Sequence, residues 1–138
     1  MKIVKINNDD IDLISEIESE LFHDNSLYSK NILISCFNNK DCIFVKCTNN
    51  NQILGYMIAY KLTDHIDLVK IGIIKPFQHN KYGTSLIEYL HKYNLPIFAE
   101  VNSNNKIAYN FYLKNGFKKI NIRKKYYENN DGILLKKL

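Results

Sequence analysis

Between His65 and Gly116 the chain twice runs a β-rich stretch straight into a segment of helical period, and this alternation limits the fold more than any other feature. "HIDLVKIGII" reads as a strand, and "KYGTSLIEYLHKY" then sets Tyr82, Leu86, Leu90 and Tyr93 on one apolar stripe until "NLP" stops it. "IFAEV" is the next strand. "NNKIAYNFYLKNG" follows as a helix with an Asn cap and Gly116 as terminator. Upstream, "KIVKI" forms a first strand, and "NNDD" caps "IDLISEIESELF", where Ile11, Ile14, Ile17 and Leu21 recur at helical spacing. "YSKNILISCF" is a second, shorter helix capped by Ser29, and "DCIFVKC" and "QILGYMIAYKL" form a hairpin around "TNNN". "FKKINIRKKYY" and "ILLKKL" close the sheet. The order β-α-α-β-β-β-α-β-α-β-β predicts an α/β fold, a mixed central sheet flanked by helices. With no repeat, low-complexity linker or Pro/Gly-rich boundary, residues 1–138 read as a single domain.

Composition narrows the classes. The hydrophobic share of 46% and charged share of 24% are those of an ordinary globular protein. No apolar run approaches the roughly 18–20 residues that span a bilayer. "MKIVKINNDDIDLI" turns acidic within its first ten residues and lacks a signal-peptide apolar region, so a cytoplasmic location away from membranes is expected. Cys36, Cys42 and Cys47 cannot all pair with one another, and His23, His65, His79 and His91 show no zinc-like spacing with them, so reduced, buried thiols and no metal are expected. The net charge of +5 suits an anionic ligand, although much of it lies in "KKINIRKK", which fits a solvated strand face as well as a specific role. No nucleic-acid motif accompanies that charge, so a nucleic-acid partner is not expected.

The turn "KPFQHNKYGTS" carries small and basic residues where a strand hands over to a helix. Unpaired amides at a helix N-terminus, with the helix dipole, favour an anion. Gly83, Thr84 and Ser85 allow close approach of a diphosphate, and His79 and Lys81 add positive charge. "IGIIKPFQHNKYGTSL" resembles the acetyl-CoA motif of the GNAT family of N-acetyltransferases, a strand of type I-x-V followed by Q/R-x-x-G-x-G/A and a helix. Ile71-Gly72-Ile73 match the strand and Gln78 to Gly83 the loop, with Lys81 in the first glycine position. A side chain there restricts positive φ. "FAEVNSNNKIAYNFYLKNGF" resembles the family's later motif, with Glu100, Val101, Asn105, Ala108, Tyr112, Gly116 and Phe117 on its defined positions. The likeness covers roughly residues 1–127. Within the family it is greatest to RimI-type enzymes, which acetylate protein N-termini: Glu100 and Tyr112 keep their separation, and "RKKYY" is similar to their R-x-x-Y-Y. "LYSKNIL" is weakly similar to their early W-S-x-x-x-L, with Tyr28 in place of Trp. The tail "ENNDGILLKKL" departs from them, being shorter and lacking their D-A-x-x-M ending.

The resemblance implies acetyl transfer from acetyl-CoA to a primary amine, with Glu100 as base and Tyr112 as proton donor to the CoA sulfur. It implies a cofactor surface of Ile71, Ile73, Gln78, His79, Asn80, Lys81, Tyr82, Gly83, Thr84 and Asn105, and an acceptor groove with Tyr28, Tyr126 and Tyr127. Each residue also has a plain reading: Glu100 as a solvated strand end, Asn105 as an N-cap, the tyrosines as packing. The chemistry suits the residues, since an α-amine has pKa roughly 7.7–8.0 and one carboxylate suffices to take its proton. Asp64, His65 and Asp67 offer negative charge near an incoming amine. The acceptor is expected to be a protein or peptide N-terminus, the alternatives being a small-molecule amine or polyamine, a non-catalytic acyl-CoA-binding module, or a basic RNA-associated domain. The chain is expected to act as a monomer or weak homodimer.

Overall fold

The computed structural model describes residues 1–24, 26–127 and 129–138. Strand β1 (Lys2–Lys5) leads through a 3-10 turn into helix α1 (Ile11–Leu21). The Asp10 carboxylate accepts the Asn7 amide at 2.7 Å, the acidic cap that "NNDD" implied. Helix α2 (Lys30–Asn38) starts at Ser29, whose Oγ accepts the Ile32 amide at 3.2 Å. Strands β2 (Cys42–Asn49) and β3 (Gln52–Lys61) meet in a tight turn in which Asn50 and Asn51 both take positive φ, 51° and 66°, as a two-residue hairpin requires. Strand β4 (Ile66–Ile73), helix α3 (Tyr82–Tyr89), strand β5 (Ile97–Asn102), helix α4 (Lys106–Lys114) and strands β6 (Lys118–Tyr127) and β7 (Asn130–Lys137) complete the chain. The element order is the one the sequence predicts. Helix α3 is shorter than its stripe suggests, because Leu90–Tyr93 tighten into a 3-10 turn ended by Asn94 at φ 55°.

The strands form one mixed sheet in the order β1-β2-β3-β4-β5-β7-β6. Its two faces bury different helices. Ile14, Ile17 and Leu33 of α1 and α2 pack on Phe44, Tyr56 and Ile58. On the other side Leu86, Ile87 and Tyr112 of α3 and α4 pack on Val45, Met57, Leu68, Ala99 and Val101. Fully enclosed side chains such as Ile14 and Leu33 each contribute about 1.5–3 kcal/mol. The tail that lacks the D-A-x-x-M ending still builds β7, paired along its length with β5 and β6; Glu128, its first residue, lies outside the described residues. Cys36 and Cys47 are buried as expected, whereas Cys42 is half-buried, and all three are free thiols. Among the described residues no helix is long and apolar enough to cross a membrane.

Candidate active site

All but one of the sheet's neighbouring pairs are antiparallel, and the exception makes the site. Strands β4 and β5 run parallel and pair only at Ile66↔Ile97 and Asp67↔Phe98. Beyond that they part, while β4 stays zipped to β3 as far as Ile73. The split opens at the carboxyl ends of both strands, where α3 and α4 begin, which is where parallel strands present ligand sites.

A bulge sets what faces the split. Ile58 pairs with Lys70 and Ala59 with Leu68, so Val69 is an extra residue in β4. Before it, the Ile66 amide donates across to Pro96 O at 2.9 Å. After it the parity has flipped: the Ile74 amide donates to Leu54 O on β3, at 3.0 Å. Alternation along an antiparallel pair then turns the backbone groups of Ile71 and Ile73 away from β3 and into the split. The Ile73 carbonyl accepts Gln78 Nε2 at 2.8 Å, which folds the turn back on the strand end and leaves the Ile73 amide as a donor.

The turn that follows keeps a glycine-type backbone without the glycine. Lys81 adopts φ 66° and ψ 14°, and His79 φ 67°. Holding an L-residue there costs roughly 1–2 kcal/mol. Lys81 precedes the first turn of α3 and gives it no side-chain cap, so the Tyr82, Gly83 and Thr84 amides face outward as an anion cradle. Asn80 Nδ2 reaches Gln78 O at 3.4 Å, and Ser85 Oγ bonds back to Lys81 O at 3.1 Å. Gly83 has a different task from the one its position suggested: a Cβ there would stand 2.9 Å from Phe111 Cζ of α4, so the missing side chain lets the two helices close. The phosphate-facing room comes from the exposed loop backbone instead.

Across the split, Ile97, Ala99 and Val101 join the core under α3 and α4, which puts Phe98, Glu100 and Asn102 on the opposite face. The Glu100 carboxylate is partly enclosed; Arg123 Nε stands 3.5 Å from its Oε2, yet that buried oxygen has no hydrogen-bond partner among the described residues. A buried acceptor left open is costly unless a ligand completes it. Gly132 of β7 makes its seat, because a Cβ there would collide with Glu100 Oε2. Tyr127, half-buried, has its phenol pushed up by burial and by the Glu100 charge. Tyr112 is buried on α4, edge-on to Phe117 with ring centres 5.0 Å apart, and burial together with Tyr127 raises its phenol above the ordinary value. Glu100, Tyr127 and Tyr112 therefore form one electrostatic group. Tyr126 is exposed beneath Arg123, 4.9 Å from ring centre to guanidinium carbon. Asn105 does act as an N-cap, its Oδ1 accepting the Ala108 amide at 3.1 Å, which leaves only its Nδ2 for a ligand. His65 bridges Asp64 (2.6 Å) and Asp67 (3.3 Å) and packs edge-on against Phe98 at the closed end of the split.

Sequence reasoning missed three residues. Lys70 and Glu18, read simply as strand and helix positions, are 6% and 0% exposed and form an ion pair, with the Tyr56 hydroxyl also on Glu18. Burial pushes the Lys70 amine down from its ordinary value, and Glu18 works against that shift. Tyr28 joins the same cluster, its amide donating to Glu18 Oε2 at 2.7 Å. A lysine in the middle of an otherwise apolar strand was the available signal for Lys70. Gly132 offered none, since its need appears only when β7 meets β5.

Residues 9–117 match the acetyltransferase (GNAT) family. The chain belongs to that family. It is 23% identical over 141 residues to an uncharacterized N-acetyltransferase of Methanocaldococcus jannaschii, covering 98% of this chain and 89% of the relative. It is 32% identical over 93 residues to the [ribosomal protein bS18]-alanine N-acetyltransferase of Haemophilus ducreyi, covering 64% of each. The ribosomal-protein-S18-alanine N-acetyltransferase of Escherichia coli has the same fold, with TM-score 0.86 at 21% identity over 99% of this chain and 92% of that one. So has the PaiA N-acetyltransferase of Thermoplasma acidophilum, in complex with coenzyme A, with TM-score 0.81 at 19% identity over 99% and 97%. The chain is an acetyl-CoA-dependent N-acetyltransferase, and the outward amides of α3 and the open edge of β4 fit that co-substrate.

Proposed function

We propose that this GNAT acetyltransferase acts on the α-amine of a protein or peptide N-terminus, with Glu100 as base and Tyr112 as acid. The observation that carries the reading is the open Glu100 oxygen, seated over Gly132 on the far side of the split from the Ile71 and Ile73 amides. The Tyr82–Thr84 amides hold the pyrophosphate, aided by Lys81 and His79, and the β4 edge holds the pantetheine arm. Bound acetyl-CoA supplies an activated acyl group as a thioester. Glu100 takes the proton of the incoming ammonium, freeing the nitrogen lone pair to form the C–N bond as the C–S bond breaks. The Ile73 amide stabilises charge on the acyl oxygen. Tyr112, kept protonated by burial, donates to the departing sulfur and regains a proton from solvent or the acceptor nitrogen. Tyr126 and Tyr127 line the groove along which the peptide backbone lies, beside Tyr28. The match to bS18-alanine acetyltransferases supports an N-terminal acceptor.

Thiol release measured over a panel of N-terminal peptides, N-terminally blocked peptides and spermidine tests this. Free N-terminal peptides are expected to be turned over and blocked ones not. Turnover of spermidine alone would replace the peptide reading with a small-amine one.

A further inference from the structure

Lys70 and Glu100 stand on the same face of the sheet on opposite sides of the split. Asp67 and Phe98 are the last paired row, with Phe98 and Glu100 both on the α1/α2 face. The Val69 bulge skips one position, so Lys70, opposite Ile58 of the α1/α2 core, turns to that face as well. An amine approaching Glu100 from this face passes the cluster around Lys70.

That cluster is an ammonium receptor occupied by the chain itself. The Lys70 Nζ lies 3.9 Å from the Phe22 ring centre and 4.0 Å from that of Tyr28. It donates to the Glu18 carboxylate and, at 2.5 Å, to the Ser26 carbonyl. Two aromatic faces, a carboxylate and a carbonyl around one nitrogen are the groups that recognise an alkylammonium. Glu18 is held in place by the Tyr56 hydroxyl and the Tyr28 amide, so the carboxylate belongs to the cage whether or not Lys70 fills it. With Lys70 in place the charges balance, and Tyr28 presents an aromatic, uncharged wall.

We infer that Lys70 is a specificity-determining residue of the acceptor side: by filling the Phe22–Tyr28–Glu18 cage with its own ammonium, it denies that cage to a second cation and confines the acceptor to amines with an uncharged neighbour. This rests on the reading that the acceptor reaches Glu100 from the α1/α2 face. Polyamines are disfavoured because their second ammonium would need the cage that is already taken. A peptide N-terminus with a small or apolar first side chain needs no such site.

The test uses the intact chain. Lys70→Ala removes three carbons and the ammonium, the atoms that n-propylammonium restores. Propylammonium chloride is expected to raise the Tm of Lys70→Ala by several degrees, relative to sodium chloride at equal ionic strength, and to leave the wild type unchanged. The spermidine-to-peptide ratio of kcat/KM is expected to rise about tenfold or more in Lys70→Ala. A folded variant that shows neither the propylammonium effect nor the change of ratio overturns the inference. Should Lys70→Ala not fold, the charge-balanced pair Glu18→Gln/Lys70→Met takes its place. It is expected to keep the wild-type preference and ignore propylammonium, and a gain of spermidine turnover in it overturns the inference, because no carboxylate remains in the cage. The propylammonium arm reads the cage without catalysis. Failure of the wild type to acetylate any N-terminal peptide instead removes the proposed acceptor, independently of the cage.

Discussion

The two banks of the split are built from different materials. On the β4–α3 bank the donors are main chain: the Ile71 and Ile73 amides and the first turn of α3. On the opposite bank and the α1/α2 face the working groups are side chains, Glu100 over Gly132, Tyr112, Tyr127, and the Glu18–Lys70 pair. A main-chain site asks only for a backbone path, and Lys81 follows the glycine path at φ 66° despite its side chain. A side-chain site asks for specific atoms held by specific neighbours. The first should tolerate substitution and the second should not.

The largest effect should come from Glu100→Gln, which lowers kcat/KM roughly 10²- to 10⁴-fold at pH 7. The loss should shrink as pH rises through the acceptor's pKa of roughly 7.7–8.0, because the amine then arrives already deprotonated. A pH-rate profile of the variant with an N-terminal peptide checks this; unchanged activity at pH 7 would put the base elsewhere and break the contrast. Tyr112→Phe should cost less, about 10²-fold in kcat, since a thiol is a good leaving group, and should leave acetyl-CoA affinity nearly intact. With its phenol raised by burial, Tyr112 stays protonated through pH 10, so the wild-type rate should hold a plateau there and not fall on its account. A large loss of cofactor binding in Tyr112→Phe would make it a packing residue.

Gly132→Ala sharpens the comparison. The clash is with the tip of a flexible side chain, so stability should change by less than about 0.5 kcal/mol. The displaced carboxylate should lower kcat about tenfold, read from steady-state rates beside a thermal melt. An unaltered kcat would show that Glu100 does not need this seat. The smallest effect belongs to the main-chain bank. Lys81→Gly should raise stability by about 0.5–1 kcal/mol by relieving the left-handed strain, partly offset by glycine's extra unfolded freedom. Its acetyl-CoA affinity, measured by calorimetry, should stay within about threefold, less than 1 kcal/mol. A much larger fall would place the Lys81 side chain on the phosphates.

The same division explains what was legible beforehand. Periodicity exposes any element whose face meets a core, so the stripe of Tyr82, Leu86 and Leu90 and the caps at Ser29 and Asn105 located their helices. The loop from Gln78 to Thr84 and the Glu100–Tyr112 spacing were legible as motif. The Val69 bulge was not, because an extra residue in a strand leaves no mark until its partner's register is known. Without it, Lys70 reads as an ordinary strand residue. Gly83 was legible as a glycine and misread in purpose: its space serves Phe111. Residues far apart in the chain, Glu18 with Lys70 and Glu100 with Gly132, meet only through topology.

The most direct measurement is a crystal structure of the chain with coenzyme A. The account predicts the pyrophosphate on the Tyr82, Gly83 and Thr84 amides, the pantetheine arm along the open edge of β4, and the sulfur within reach of the Tyr112 hydroxyl with Glu100 across the split. Coenzyme A bound elsewhere, or a split left empty at saturating concentration, would contradict it.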